Sequence, residues 1–364
     1  MTASLNEKLR TVKWGKYKTS ELFQPQKITN MLSKEDLSEK FNFPAYSSES
    51  TNNGIIGYTD SPEFICDDEH PVFVTFGDHT CSFNIATKSF SVLDNVKVLL
   101  PSIHNIRCLL WIITAWQKQI PNLGYARHWK IAKNCIVELP TKDGEIDFDF
   151  MENFVAELES RRVAELESYL LATGLKDYTL TEEERNALDN YKTLKWFTYN
   201  LEELFGKSTR GKRLKGDDRI AGTLPFVTAG EACEGISAFI GNKVEIFESN
   251  TATIDMFGSA KYRNYRYGAD DHVAVVHTEK IAYKAAIFTT SAIHKAAHTG
   301  KFDYGHNFYA KDADALDIML PERDGLPDYK YMETLISAIQ KLVIKDVVLY
   351  ADRKIAETKA IITK

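Results

Sequence analysis

Apolar residues fall three or four apart over two long stretches of this 364-residue chain. Met151, Phe154/Val155, Leu158, Val163, Leu166 and Tyr169/Leu170 mark the first stripe; Met332, Leu335/Ile336, Ile339, Leu342/Val343, Val347 and Tyr350 mark the second. That spacing predicts two long helices, each with a narrow apolar face and a charged remainder suited to helix-on-helix packing. Each helix could cover its own domain, but two equivalent stripes in one chain favour mutual antiparallel pairing. The expected contacts are Met151, Val155, Leu158 and Leu166 against Met332, Ile336, Ile339 and Val343. Gly174 ends the first helix, and Thr181 with Glu184 forms a capping box that starts a further helical piece through about Tyr191. Elsewhere the pattern predicts shorter helices at Ile106–Gln117 and Ile281–Ala297. It predicts short strands such as Val72–Phe76, Val244–Phe247, Ile136–Leu139 and Leu316–Leu320, broken by Gly, Asn and Asp.

The same grammar occurs twice, at an offset of about 181 residues. Val12-Lys13-Trp14 matches Leu194-Lys195-Trp196, Leu22-Phe23 matches Leu204-Phe205, and Pro44 matches Pro225. Gly54-Ile55 matches Gly235-Ile236, Phe76-Gly77 matches Phe257-Gly258, and Asp94–Val98 matches Asp271–Val275. The ending Leu139-Pro140, Gly144, Asp147 to Glu152 returns as Leu320-Pro321, Gly325, Asp328 to Glu333. An ordered series at near-constant offset predicts a duplicated α+β unit. Its domains are residues 1–146, a central helical region 147–192, a second domain 193–327 and a C-terminal helix 328–364. The interiors of the two units diverge more than their ends, as expected of related readers of different targets.

Composition narrows the chemistry. No stretch of about eighteen apolar residues occurs and residues 1–10 have no signal-peptide run, so a cytoplasmic protein with no membrane contact is expected. Cys66, Cys81, Cys108, Cys135 and Cys233 lack CxxC spacing and read as buried small hydrophobes rather than zinc ligands or disulfides. The net charge of −6 disfavours nucleic acid as a partner, but affinity follows local clusters of Lys and Arg. Neither a phosphate-cradling GxxxxGK[ST] loop nor a Pro-Pro dipeptide of the amino-methyltransferase kind is present, and no catalytic or metal-binding constellation is found. His294 and His298 have helical i,i+4 spacing but lack a zinc hydrolase's Glu and a third ligand, which favours a surface or DNA-facing role.

The strongest positive signal is Gly206–Lys215, where Lys207, Arg210, Lys212, Arg213 and Lys215 crowd nine positions among glycines, with Arg219 beyond. Lys and Arg suit phosphate contact, and Arg can also hold guanine through two hydrogen bonds. The alternating run Lys261-Tyr262-Arg263-Asn264-Tyr265-Arg266-Tyr267 is a second candidate, as a strand with a recognition face. Ser47, Ser48 and Thr228 lie in turns at equivalent points after the repeated proline, and Lys27 lies in the first unit's more polar counterpart of the basic loop. A solvated loop, an ordinary amphipathic strand and plain turn chemistry are the alternatives.

Two variable domains, each followed by a similar helix, resemble the specificity subunits of type I restriction–modification systems. The resemblance rests on the repeated Leu-Pro, Gly, Asp, aromatic, Met-Glu ending and on the Gly-Lys-Arg loop with Asp218-Arg219, Pro225 and Gly235. The wording is closer to the type IIB (BcgI-like) branch. It implies two target-recognition domains joined by long helices forming an antiparallel coiled-coil-like spacer, each domain reading half of a bipartite double-stranded DNA site. It also implies a non-catalytic chain: partner methyltransferase subunits, or a fused methyltransferase–nuclease, would hold S-adenosylmethionine and magnesium and flip the target base. The first unit lacks the Gly-Lys-Arg loop, so the family's contacts do not carry over to it. A repeat-built protein-interaction scaffold and an enzyme with an unrecognised site are the other functional classes open to the sequence.

Overall fold

After a short helix (Ala3–Thr11), the first half runs, like the second, from an aromatic strand to the strand that pairs back onto it. In the computed structural model, which describes residues 3–124 and 126–362 (backbone only for 3, 4 and 358–362), the strands of the first half are β1 (Lys13–Lys18), β2 (Phe23–Pro25), β3 (Phe43–Tyr46), β4 (Ile55–Thr59), β5 (Phe73–Gly77), β6 (Phe83–Ala86), β7 (Ser91–Val92), β8 (Val96–Pro101), β9 (Ile136–Lys142) and β10 (Glu145–Ile146). Those of the second are β11 (Trp196–Asn200), β12 (Thr209–Arg210), β13 (Ala221–Val227), β14 (Ile236–Ile240), β15 (Thr251–Asp255), β16 (Ala260–Arg263), β17 (Gly268–Ala269), β18 (Val273–Val276), β19 (Asp317–Arg323) and β20 (Leu326–Pro327).

The three sheets of the first half, β1-β9-β10, β2-β8-β5-β6 and β4-β3-β7, recur as β11-β19-β20, β12-β18-β15-β16 and β14-β13-β17. Register repeats as well: Trp14 faces Pro140, and Trp196 faces Pro321. The closing hairpins turn through Asp143-Gly144 and Asp324-Gly325, all four residues at positive φ, the two-residue geometry that matches strand twist. One sequence match dissolves in register. Gly77 faces Val96 whereas Asp255 faces Val273, so Phe76-Gly77 and Phe257-Gly258 are not equivalent.

By contacts the chain divides into two compact units, residues 1–165 with 358–364, and residues 166–357. In the first, the helix Ile106–Gln117 is capped by Asn105, whose side chain accepts the N–H groups of Arg107 and Cys108. Its inner face buries Cys108, Leu109, Ile112, Ile113 and Trp116 with Val74, Val137, Leu139 and Met151. In the second, the equivalent helix begins at Tyr283, two residues later than the periodicity suggests, and presents smaller residues, Ala285, Ala286, Ile293 and Ala297, with Met332 in the same core. Burial of each large apolar side chain contributes about 1.5–3 kcal/mol. Cys108 is buried as expected, Cys66, Cys81 and Cys135 are half-buried, and Cys233 is exposed.

The two long helices run Phe148–Ala172 and Tyr329–Ile362. Their seam lies elsewhere than the sequence stripes suggest. Met151 and Met332 belong to the domain cores, Val155 and Leu158 are half-buried, and Ile339 and Val343 are 40% and 73% exposed. Within the second unit, Leu166 and Leu170 pack with Leu175, Tyr178, Ile344, Val348 and Ala351. Ile336 is buried, but the face below it turns through Ala338 and Lys341 rather than Ile339 and Val343. Lys341 belongs on the inner face because its ammonium meets Glu184 (3.0 Å), Asp177 (3.6 Å) and the Thr179 carbonyl (2.9 Å). The Thr181–Glu184 capping box forms, with reciprocal bonds of 3.2 and 2.8 Å. The segment Val244–Phe247 is not a strand: only Phe247 makes a bridge, to Tyr267.

Candidate nucleic-acid interface

The basic loop of the second unit is anchored by its backbone and leaves its cations free. Gly206, at φ 75°, caps the helix Leu201–Phe205. Thr209 and Arg210 then pair with Val275 and Ala274. Gly211 lies flush on β17, where a Cβ would sit 1.7 Å from the Ala269 carbonyl oxygen, so no other residue fits; Lys212 N–H donates to that carbonyl (3.1 Å). The side chains of Lys207, Arg210, Lys212, Arg213 and Lys215 are all exposed and, among the described residues, none joins an ion pair or side-chain hydrogen bond. Arg219 differs. Its guanidinium turns inward to the Leu214 carbonyl (3.2 Å) and Ser237 Oγ (3.2 Å) and lies over the Phe226 ring, so it shapes the loop.

The alternating run is scaffold where the sequence suggests a reading strand. β16 stops at Arg263 and the chain turns, which separates Tyr265 and Arg266 from the strand face. Arg263 is 1% exposed; it donates through Nε to Thr253 Oγ1 (2.9 Å) and through Nη1 to the Glu234 carbonyl and Tyr265 Oη (both 2.9 Å). Lys261 is held by Glu231 (3.1 Å) and Ser259 (2.9 Å), and Tyr262 donates to Asn250 Oδ1 (2.9 Å). Arg266 is the most exposed basic residue of the run and is paired with Glu248 (3.2 Å). His294 is equally internal in role, its Nδ1 taking the Ala260 N–H (3.1 Å), and its ring stacks on His298, whose Nδ1 lies 3.2 Å from the Phe257 carbonyl oxygen.

These inward-facing groups share a task. They pin the loop Thr228–Gly235 between β13 and β14 from beneath: Asp255 takes the Gly230 N–H (3.2 Å), Lys261 holds Glu231, and Arg263 holds the Glu234 carbonyl. Thr228, half-buried, donates its N–H to the Gly235 carbonyl (2.8 Å). In the first unit the corresponding loop Ser47–Gly54 is pinned without charge. Thr80 Oγ1 donates to the Ser48 carbonyl (2.6 Å), Ser82 Oγ to the Glu49 carbonyl (3.4 Å), and the buried Ser47 hydroxyl takes the Glu49 N–H (3.2 Å). Lys27 is exposed and, among the described residues, without a side-chain partner, in a segment whose Thr29 and Asn30 N–H groups are gathered by Glu63. Sequence reasoning found these turns but missed the platform under them; the repeated Gly54 and Gly235 were its only trace.

Among the described residues, Asp270, Asp271 and His272 bring one potential metal-ligand atom each within 4.8 Å. They form a turn in which Asp270 accepts the Asp271 N–H (2.9 Å), and burial followed by the Asp271 carboxyl pushes the Asp270 carboxyl up. A groove in the second unit lined by Trp196, Phe288, Ala292, Ala296 and Met319 is mainly apolar, with Lys295 and Asp317 at its walls.

Residues 11–168 match the family described as the type I restriction modification DNA specificity domain. The chain is 23% identical over 317 residues, 83% of its length and 87% of the relative's, to the specificity subunit S.BcgI of a type II restriction enzyme from Heyndrickxia coagulans. Its fold is like that of the S subunit of a type I restriction–modification system from M. genitalium, with a TM-score of 0.58 at 14% identity, covering 96% of this chain and 94% of that one.

Proposed function

We infer that this chain, whose residues 11–168 match the type I restriction modification DNA specificity domain, is the DNA sequence-specificity subunit of a restriction–modification complex. It is the recognition subunit and leaves the chemistry to its partners. The observation that carries this reading is the duplication itself: two units of one topology, each with the same loop pinned by a different polar set, one beside five unpaired cations. A common frame with unlike polar fittings suits a protein that reads two unlike half-sites of one duplex.

The finer assignments follow from that reading. The free cations of Lys207–Lys215 contact phosphates, which fixes position, and neighbouring loops contact base edges, which fixes sequence. The long helices, about 37 and 50 Å at 1.5 Å per residue, act as the spacer. The partner is a methyltransferase, alone or fused to a nuclease, and it is the partner that holds S-adenosylmethionine and magnesium.

The test is to express the chain with and without its partner methyltransferase and map DNA methylation at single-base resolution. Methylation at one bipartite motif, present only when this chain is present, is expected. A methylation pattern indifferent to this chain would refute the reading.

A further inference from the structure

Each unit carries two left-handed non-glycine surface residues, followed by a glycine, at the same place. In the first, Asn52, Asn53 and Gly54 all have positive φ; in the second, Cys233, Glu234 and Gly235 do. The residues ahead of the glycines are nearly superimposable in backbone, Asn53 at φ 51°, ψ 31° and Glu234 at φ 56°, ψ 26°. A left-handed residue that is not glycine costs of order 1–3 kcal/mol and persists only where its surroundings fix it. The surroundings here do fix it. Added Cβ atoms at Gly54 and Gly235 would stand 2.6 Å from Asn84 Nδ2 and 2.8 Å from the Thr228 carbonyl oxygen, and Arg263 grips the Glu234 carbonyl.

What these platforms hold up is unpartnered. The side chains of Asn53 and Glu234 are exposed and, among the described residues, neither makes a hydrogen bond or ion pair, unlike Asn52, whose amide returns to the Ile55 carbonyl (2.9 Å). In the second unit the knuckle stands at the same end of the β14-β13-β17 sheet as the basic loop. Lys212 bonds to Ala269, Ala269 faces Val227, and Arg219 reaches Ser237, two residues past Gly235. A carboxylate beside a phosphate-binding loop is repelled by the DNA backbone and finds donors only among base amino groups. Glu accepts from the cytosine amino group, and Asn pairs with adenine through two hydrogen bonds.

We propose that Asn53 and Glu234 are the equivalent base-reading side chains of the two units, Asn53 taking an adenine in one half-site and Glu234 an amino-bearing base, cytosine first, in the other. This rests on the specificity reading above and adds to it which residues specify and what class of base edge each takes.

The test uses Asn53→Gly and Glu234→Gly, because glycine adopts the left-handed conformation freely and each variant loses only its side chain while relieving strain. The complex with the methyltransferase partner is presented with a pool of randomised duplexes, and the bound fraction is sequenced. The unaltered complex should enrich one bipartite motif. Each variant should relax a single position, roughly 5- to 150-fold in discrimination, in opposite halves of that motif. Thermal melting of each variant should be unchanged or raised. A folded variant that enriches the unaltered motif, or two variants that relax the same half, overturns the proposal. If the unaltered complex enriches no motif, the specificity reading itself fails, and this inference with it.

Discussion

Neutralising Lys212, Arg213 and Lys215 to alanine should change the salt dependence of DNA binding by a calculable amount. These side chains are exposed and have no partners among the described residues, and the loop is held by Gly211 and the Lys212 N–H rather than by its charges. Removing them therefore costs the fold nothing that the structure shows. Each phosphate contact contributes about 0.9 to the slope of log affinity against log salt, so losing three lowers the slope by about 2.7. Between 50 and 200 mM salt that difference compounds to about 40-fold: the variant binds much more weakly at low salt and approaches the unaltered protein at high salt. The assay is fluorescence-anisotropy titration of the assembled complex on a duplex of arbitrary sequence, since the phosphate contribution does not depend on sequence. Arg219→Ala is the internal control. Its guanidinium braces Leu214, Ser237 and Phe226, so that substitution should lower the melting temperature and leave the slope within about one unit. A triple variant that folds and keeps the original slope would remove this loop from the DNA interface.

Other outcomes follow from the same geometry. Burial works to raise the Glu184 carboxyl, but the Thr181 N–H and the Lys341 ammonium outweigh it and hold it down to about 2, from 4.5. The stabilisation, about 3 kcal/mol, is therefore complete above pH 4.5 and is lost as pH falls through about 2; Glu184→Gln should flatten acid unfolding of the second unit, followed by circular dichroism. Arg263→Lys cannot reproduce three bonds from one planar fork and should destabilise the second unit by about 2–3 kcal/mol in urea titration, despite its conserved charge. Leu170→Ala should cost about 2–5 kcal/mol and Val343→Ala under about 0.5 kcal/mol; equal costs would restore the helix seam read from sequence. Exchanging residues 12–140 for those of a relative joins the chain where β1 and β9 lie side by side, and should change one half of the methylated motif while preserving the other.

The repeat was legible because its signals are local and chemical. Asp-Gly permits the left-handed hairpin turn, and Leu-Pro places an inward residue before it. The helix seam was less legible. A charged residue is read as an outer position, and only the fold reveals the carboxylates that bring Lys341 inside. The same blindness affected Lys261–Tyr267, where alternation of basic and aromatic residues looks like an exposed strand face. That periodicity says nothing of the turn after Arg263 or of the backbone carbonyl its guanidinium serves. The basic loop escaped this error because too many cations crowd one segment for all to be internally paired. Asn53 and Glu234 carry no sequence signal beyond the glycine that follows each.

The pairing of β1 with β9 also dictates when the protein can fold. Lys13 finds its partner only once Thr141 exists, and Trp196 only once Pro321 does. A contact between such distant positions must absorb the entropy of closing the whole intervening chain before it returns any stability, which makes the closing strand a late step. During synthesis the first unit can thus complete its frame while the second is still being translated, as domains generally do. The second unit closes on β19. Until that strand is made, β11 presents an unpaired aromatic edge with Phe197, which remains 61% exposed even in the finished fold. Overexpression should therefore generate aggregates that originate from the second unit, on nascent or truncated chains ending before Leu316.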